Sequence, residues 1–151
     1  MLAAKAKYDR MYRRREKKKR RKWSLAYSQR HKNNPQFVMT KRLRSRIRVA
    51  VTKGYGVKAA ASMELVGCSI PEVKAHLEKQ FTDGMTWEKF IAGEIEIDHI
   101  RPCASFDLSK EDEQRRCFHY TNLQPLWWQD NLAKGDNLPA QIPIDTLSTQ
   151  A

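Results

Sequence analysis

The first half of the chain predicts two helices from the spacing of its apolar residues. Residues 3–30 are rich in strong helix formers and contain no Gly or Pro, which predicts one long helix. Their apolar side chains form no continuous stripe, so we expect an exposed helix that becomes fully ordered on a polyanion. Pro35 breaks it, and a second helix is predicted over residues 37–53. Its apolar residues recur about every four positions: Phe37, Leu43, Ile47 and Val51.

The second half predicts short helices around two strands. Ser69 and Glu72 have the form of a capping box, and a helix follows them. Residues 94–100 alternate polar and apolar positions, which predicts a strand with one face turned inward. Three further elements are predicted in order: a helix over 109–119, a strand over 123–126, and a helix over 127–134 closed by Gly135. The pattern therefore predicts a mostly helical α+β fold.

The charge of the chain is concentrated at one end. Residues 1–58 hold 21 Lys and Arg against two acidic residues, a formal charge of +19. Residues 59–151 hold eight basic and 15 acidic residues, a formal charge of −7. So many cations without counter-charge predict a nucleic-acid contact on the basic part. DNA is the expected partner, and RNA is not excluded.

Hydropathy and cysteine content narrow the class of protein. No apolar run reaches 18 residues and the amino terminus is rich in Lys and Arg, so we predict neither a membrane span nor a secretory signal, and expect a cytoplasmic protein. The three cysteines, Cys68, Cys103 and Cys117, form no C-x-x-C pair and predict reduced thiols. Cys103 and Cys117 can approach each other across the helix predicted over 109–119, between the two strands. Two thiols without further ligands do not make a zinc site. No structural zinc is expected.

Polar residues fall at the junctions of the two strands and the last helix. Asp98 and His99 end the first strand, and Asn122 comes immediately before the second. Asn131 and Lys134 lie one turn apart in the final helix. A carboxylate, a carboxamide and an imidazole at one place predict a site for a hard divalent cation, with a base beside it. Mg²⁺ or Mn²⁺, one ion per site, suits these oxygen donors.

Three stretches carry a resemblance to a known family: Ile-Asp-His-Ile-Arg-Pro at 97–102, Tyr-Thr-Asn-Leu-Gln-Pro-Leu-Trp at 120–127 and Asp-Asn-Leu-Ala-Lys-Gly at 130–135. In this order they resemble the HNH endonucleases of the His-Me finger, or ββα-metal, group, and most closely its small phage and bacterial members. Asn131 stands where the family name has a second His, so this is the HNN variant. The resemblance implies a ββα-metal finger with flanking helices, behind a long basic N-terminal helical arm.

The resemblance also implies a role for each matching residue. His99 would be the general base that deprotonates the attacking water. Asp98 and Asn131 would hold the metal ion, and Asn122 would fix the backbone that carries His99. Lys134 would contact the phosphate or stabilise the transition state. Cleavage would leave a 5′-phosphate and a 3′-hydroxyl.

We predict three segments. Residues 1–58 form a basic helical arm that binds nucleic acid, residues 59–138 form the nuclease domain with its finger core at 94–135, and residues 139–151 form a tail. The cations predicted to contact nucleic acid are Arg13, Arg14, Arg15, Lys18, Lys19, Arg20, Arg21, Lys22, Arg42, Arg44, Arg46, Arg48 and Arg101.

Two functions are consistent with these features. The first is a metal-dependent DNA endonuclease that nicks or cuts both strands. The second is a non-catalytic nucleic-acid-binding protein on a decayed nuclease scaffold, for example a phage packaging or assembly accessory that contacts packaging proteins. A homodimer would allow a double-strand cut, but the sequence has no heptad repeat of apolar residues that predicts dimerisation.

Overall fold

A computed structural model describes residues 2–54 and 56–137, without the side chains of residues 2–7 and 9. The described chain has a mostly helical α+β fold, which confirms the predicted class. The predicted tail at 139–151 lies outside the described residues. The elements in chain order are α1 (Leu2–Arg30), α2 (Pro35–Lys53), α3 (Ser62–Val66), α4 (Ile70–Glu78), α5 (Trp87–Ala92), β1 (Ile95–His99), α6 (Glu111–Phe118), β2 (Leu123–Trp127) and α7 (Trp128–Lys134).

The turn between α1 and α2 is fixed by a helix cap. The Asn34 side chain accepts hydrogen bonds from the backbone N–H groups of Gln36 and Phe37, at 3.0 and 3.2 Å. Pro35 then occupies the first turn, where its missing N–H costs nothing. The second helix therefore begins two residues before the predicted start. Within the described residues, no helix is both long enough and apolar enough to span a membrane.

The apolar stripe of α2 is part of the main core. Met39, Leu43, Ile47 and Val51 are 0–3 % exposed and pack in one cluster with the buried residues of α3 to α6 and β1. The predicted division at residue 58 places α2 in the arm, whereas the structure packs the apolar stripe of α2 into the core of the body. Because the stripe recurs at helical spacing, its burial joins α2 to the body, and the arm that remains outside the core is α1.

A buried amide joins the segment after α2 to the rest of the body. Gln114 of α6 is fully buried and donates from Nε2 to the carbonyl oxygens of Val57 and Leu108, at 2.8 and 2.9 Å. Its Oε1 accepts from the Ala59 N–H at 2.9 Å. A Cβ at Gly56 would lie 2.3 Å from the Leu108 carbonyl oxygen, so only glycine allows this approach. These contacts fix the segment between α2 and α3 against the connection that follows β1.

β1, β2 and α7 form one compact unit. The strands are antiparallel, with Ile95 opposite Trp127 and His99 opposite Leu123. Within the described residues the sheet has two strands, so each is an edge strand. Pro125 therefore lies at an edge, as predicted, where its missing N–H is tolerated. Residues 100–122 connect the strands and contain α6 and two 3₁₀ turns, Cys103–Ser105 before α6 and Tyr120–Asn122 after it. α7 packs against both strands, and the order of the three elements is β, β, α.

Candidate functional site at the end of β1

β1 ends with two polar residues that are both buried. Asp98 is 6 % exposed and His99 is 5 % exposed. Successive side chains of a strand point to opposite faces, so the two side chains enter different surroundings. Asp98 shares its face with Glu96, whereas His99 shares its face with the core residue Ile97.

The Asp98 carboxylate is surrounded by cations and an amide. Lys134 Nζ lies 2.9 Å from Oδ2, and Arg46 Nη2 lies 3.6 Å from Oδ1. The Gln124 side chain donates to Oδ2 at 3.2 Å. Lys134 also donates to the His99 carbonyl oxygen at 2.8 Å, so one cation holds both residues at the strand end. A buried carboxylate requires such partners, because removing it from water without them is costly.

Asn131 lies on the same side but bonds to a different carboxylate. Its amide donates to Glu96, one pleat before Asp98 on the same face of β1. Arg46 Nη1 lies 4.0 Å from the same Glu96 carboxylate. The two predicted metal ligands therefore bond to different partners, Asp98 to the cations and Asn131 to Glu96. Glu96 adds a third oxygen donor on this face of β1. Sequence reasoning missed Glu96, although its two-residue spacing from Asp98 in a strand indicated a shared face.

Asn122 holds the backbone immediately after His99. Its Oδ1 accepts from the Arg101 N–H at 2.9 Å, and its Nδ2 donates to the Arg101 and Cys117 carbonyl oxygens at 3.1 and 2.8 Å. The Ile100 N–H donates to the Asn122 carbonyl oxygen at 2.8 Å. The side chain thus closes the long connection at the point where it leaves β1, the position in which we predicted it.

Arg101 folds back on the loop that follows it. Its Nε and Nη2 donate to the side chain and carbonyl oxygen of Ser105, at 3.0 and 3.1 Å. Its guanidinium lies 4.4 Å from the centroid of the Phe106 ring. Two of its five N–H donors therefore stabilise this 3₁₀ turn, and the predicted contact with nucleic acid would compete with these bonds.

The His99 side chain meets two thiols. Its Nδ1 lies 3.6 Å from the Sγ of Cys103, which lies 3.5 Å from the Sγ of Cys117. The nitrogen and the two sulfurs all lie within 4.8 Å of one another, and the group could hold a metal ion. We expected no structural zinc because the two thiols lacked partners, and His99 now supplies a third donor. Sequence reasoning missed this group, although Cys103 follows His99 by four residues.

The two thiols differ in their affinity for protons. A hydrogen bond from Cys117, with a smaller contribution from His99, lowers the pKa of Cys103 to about 5, although burial opposes this shift. The same hydrogen bond, together with burial, raises the pKa of Cys117. Negative charge is thus favoured on Cys103 rather than on Cys117.

His99 and Cys103 open onto a cleft of about 540 Å³ between α2 and the loop after β1. Arg46 and Lys53 line the same cleft and make its wall basic. Solvent or a phosphate group can therefore reach the two side chains from one direction. The lining is completed by Ser45, Val49, Ala50, Gly54, Ala104, Phe106, Leu108 and Asp136.

The predicted nucleic-acid contacts divide into two sets. Those of α1 are exposed, as are Arg44 and Arg48 of α2. The exposed members on α1 are Arg13, Arg14, Arg15, Lys18, Lys19, Arg20, Arg21 and Lys22. Trp23 and Tyr27 are also exposed on this helix and stack at 5.3 Å. α1 thus presents both cations and aromatic rings to solvent.

Arg42 and Arg46 instead turn towards the body. Burial lowers the pKa of Arg42, and the Glu96 charge opposes this. Arg46 donates to the Ile97 carbonyl oxygen and pairs with Asp98. Both were predicted to contact nucleic acid, and the structure assigns their main contacts to β1 and α5. The Arg42 guanidinium donates to three carbonyl oxygens, those of Phe90, Ile91 and Ile95.

The chain is similar to two proteins of Acanthamoeba polyphaga mimivirus. "Uncharacterized protein L246" is 38% identical over 108 residues, which are 71% of this chain and 46% of the relative. "Uncharacterized protein L426" is 38% identical over 107 residues, 70% of this chain and 46% of the relative. The chain thus spans about half the length of these relatives. No family model and no solved structure matches it, so the geometry of the site carries the functional proposal.

Proposed function

We propose that the protein is a metal-dependent DNA endonuclease of the HNH type, which hydrolyses phosphodiesters to 5′-phosphate and 3′-hydroxyl ends. The observation that carries the proposal is the meeting of the motif residues at the end of β1. Lys134 of α7 reaches both Asp98 and the His99 backbone, and Asn122 holds the next residues from the start of β2. In this proposal, β1, β2 and α7 are a ββα-metal finger of the HNN variant.

His99 is the general base of the proposed reaction. Its ring lines the cleft, so a water molecule and a phosphate group can approach it from solvent. Imidazole accepts a proton effectively near neutral pH, and proton abstraction makes the water a stronger nucleophile. Lys134 holds the carbonyl oxygen of His99 and Asn122 holds the backbone of Arg101, so the backbone that carries the ring is kept in place. Lys134 also supplies a positive charge at the strand end, where charge on the phosphate develops.

The proposed metal ligands are oxygen donors on one face of β1. Asp98 and Asn131 are joined there by Glu96, and this set of two carboxylates and an amide fits Mg²⁺ or Mn²⁺. One such ion would neutralise charge on the scissile phosphate and on the departing oxygen. Lys134 and Arg46 pair with Asp98 in the structure, so both cations would shift to the phosphate when Asp98 binds the ion.

α1 supplies the proposed contact with the DNA backbone. Its cations are exposed, and neutralising phosphates releases condensed counterions. If roughly 6 to 10 cations make contacts, log K falls against log salt with a slope near −0.9 per contact. Such binding discriminates weakly between sequences. A single finger cleaves one phosphodiester, so a double-strand break needs a homodimer or two successive nicks.

A nicking assay on supercoiled plasmid tests the proposal. Wild-type protein is expected to nick the plasmid only with added Mg²⁺ or Mn²⁺, and His99→Ala is expected to lose about 10²- to 10⁴-fold in rate. His31→Ala is the matched control, because His31 lies in the turn after α1 and is expected to retain the full rate. Wild-type protein that gives no metal-dependent nicking under any condition would contradict the proposal. Single-stranded DNA and structured RNA at the same salt concentration decide the nucleic-acid preference.

One observation favours a second candidate, a non-catalytic nucleic-acid-binding protein on a decayed nuclease scaffold. The Asp98 oxygens are already engaged by Lys134, Arg46 and Gln124. If these contacts are permanent, the carboxylate does not bind a metal ion, and the chain only holds DNA, for example as a packaging accessory. Tight, salt-dependent DNA binding without any nicking would select this candidate.

A further inference from the structure

We propose that His99, Cys103 and Cys117 form a second metal site, for a soft divalent cation such as Zn²⁺, and that occupancy of this site removes His99 from catalysis. The metal site stands on the geometry of the three side chains. Only its effect on cleavage rests on the proposed nuclease function. The experiments below therefore separate the two.

The spacing of the donor atoms fits a tetrahedral ion. Zn–S bonds of about 2.3 Å and Zn–N bonds of about 2.0 Å at tetrahedral angles place two sulfurs about 3.8 Å apart, and a sulfur and a nitrogen about 3.5 Å apart. The corresponding distances here are 3.5 Å between Cys103 and Cys117 and 3.6 Å between Cys103 and His99. The remaining distance, from His99 to Cys117, lies within 4.8 Å. Small side-chain movements are enough to close the site.

Three separate elements hold the donors in place. His99 ends β1, Cys103 begins the 3₁₀ turn, and the fully buried Cys117 lies in α6. Asn122 links the same elements, because it bonds to the backbone of both Arg101 and Cys117. Both cysteines are free, and their sulfurs are farther apart than the roughly 2.05 Å of a disulfide. The site is therefore preorganised for a ligand that bridges the sulfurs.

The donor chemistry selects a different ion from the oxygen face of β1. Two thiolates and an imidazole favour Zn²⁺, whereas carboxylate and amide oxygens favour Mg²⁺ or Mn²⁺. His99 and Cys103 line the cleft, which gives the ion a path of entry and leaves its fourth position to water. On binding, a sulfur that still carries a proton releases it to solvent, and each sulfur donates an electron pair to the metal.

Metal binding would stop the proposed reaction at its base. The Nδ1 electron pair of His99 would be shared with the metal ion, so this nitrogen no longer accepts a proton. The imidazole ring would also be fixed towards Cys103 and Cys117. Zinc would thus inhibit cleavage by binding His99. Mg²⁺ or Mn²⁺ would support cleavage from the oxygen donors on the opposite face of β1.

Cobalt substitution in the reduced full-length protein tests the metal site without any activity measurement. Wild-type protein is expected to bind one Co²⁺ with thiolate-to-cobalt charge-transfer absorption and tetrahedral visible bands, and Zn²⁺ is expected to bleach both. Cys103→Ser is expected to weaken binding by more than about 100-fold, since even partners outside the ligand shell account for 10- to 100-fold. Cys117→Ser tests the buried donor, and the partly exposed Cys103 remains informative if that variant does not fold.

Cys68→Ser is the matched control, because Cys68 is outside the group and is expected to leave the cobalt spectrum unchanged. Wild-type protein without charge-transfer absorption would overturn the metal site. A Cys68→Ser variant that loses the absorption as completely as Cys103→Ser would overturn it too.

The effect on cleavage is measured as a ratio within each variant. The nicking rate with Mg²⁺ and Zn²⁺ together is divided by that variant's own rate with Mg²⁺ alone. This ratio is expected to be about 0.1 or lower for wild type and Cys68→Ser, and close to one for Cys103→Ser. Equal inhibition of Cys103→Ser would overturn the inhibitory role. If no variant nicks DNA but the cobalt spectrum depends on Cys103, the nuclease proposal fails and the metal site stands.

Discussion

α1 and α2 are both rich in Lys and Arg, and they use these cations in different ways. The described cations of α1 are exposed, and one ion pair, between Lys19 and Glu16, is formed among the described side chains of this helix. α2 instead turns Arg42 and Arg46 towards the backbone of the body. Two helices of similar composition thus have different roles, one available to a polyanion and the other partly used by the fold.

The difference arises from the apolar residues between the charges. α2 has a helical stripe that includes Leu43 and Ile47, and burying this stripe brings the flanking Arg42 and Arg46 against β1. α1 has no such stripe, so nothing draws its cations inward. A count of charges therefore indicates nucleic-acid binding only where apolar periodicity does not bury the same face.

The largest expected effect is loss of DNA binding when α1 is neutralised. If about half of six substituted cations contact phosphate, the affinity at low salt falls roughly 10³-fold and the salt slope flattens by about 3. Fluorescence anisotropy across a salt series measures both. The six substitutions to Gln are at Arg13, Arg14, Arg15, Arg20, Arg21 and Lys22.

A charge-preserving variant is the control for this prediction. It carries Lys at the five Arg positions and Arg at position 22, and it is expected to retain the affinity of wild type. A neutralised variant with unchanged salt slope would show that α1 does not contact the backbone. The melting temperature of both variants is expected to equal that of wild type, because the substituted side chains are exposed.

Arg42→Met tests the opposite use of a cation. It leaves the carbonyl oxygens that Arg42 satisfies without a donor, so the free energy of unfolding is expected to fall by about 3 kcal/mol. Lys41→Met is the control at the next, exposed position, with a change within about 0.5 kcal/mol. Urea denaturation measures both. Equally small losses of unfolding free energy at the two positions would show that Arg42 contributes no more to the fold than an exposed cation does.

Arg46→Met is expected to have a smaller effect than Arg42→Met. The Arg46 side chain is 37 % exposed, and Asp98 keeps its contacts with Lys134 and Gln124. We expect a loss of about 1 kcal/mol in the free energy of unfolding, and almost none for the exposed neighbour Arg48→Met. A loss larger than that of Arg42→Met would mean that Arg46 dominates the contact between α2 and β1.

The smallest expected effect is a difference in pH dependence between arm and body. Burial, with a further contribution from the charge of His76, lowers the pKa of His119 below its ordinary value of 6.5. Between the lowered pKa of the folded state and the ordinary value, the unfolded chain binds more protons than the folded chain. The contribution of His119 to the free energy of unfolding is therefore complete above about pH 6.5 and is lost as the pH falls. Lys and Arg stay charged throughout this range.

Wild type and His119→Gln are compared by urea denaturation between pH 5 and 8. The variant is expected to lose less stability on acidification than wild type, while the salt slope of DNA binding stays constant in both. Identical pH profiles would show that His119 contributes nothing. A salt slope that changes with pH would assign part of the DNA contact to titrating groups of the body.

Local features of the fold could be predicted from the sequence, and long-range contacts could not. The composition of residues 2–30 and the cap at Asn34 determine local conformation, and both helices form where expected. The burial of the α2 stripe could not be predicted, because it depends on elements far along the chain.

The candidate site follows the same rule. The positions of Asp98, His99 and Asn122 at strand ends follow from nearby alternation and turns, and the structure places them there. The contact of Asn131 with Glu96 depends on how α7 rotates against the sheet. The approach of Cys117 to within 4.8 Å of His99 likewise depends on the packing of α6, which periodicity does not specify.

We propose that α1 binds DNA and that the end of β1 cleaves it. The most direct measurement is the plasmid nicking rate in Mg²⁺ at saturating protein, for His99→Ala and for the neutralised α1 variant side by side. We predict that His99→Ala binds DNA as tightly as wild type and does not nick it, whereas the α1 variant needs more protein but reaches the wild-type rate. Nicking by His99→Ala at the wild-type rate would contradict the account.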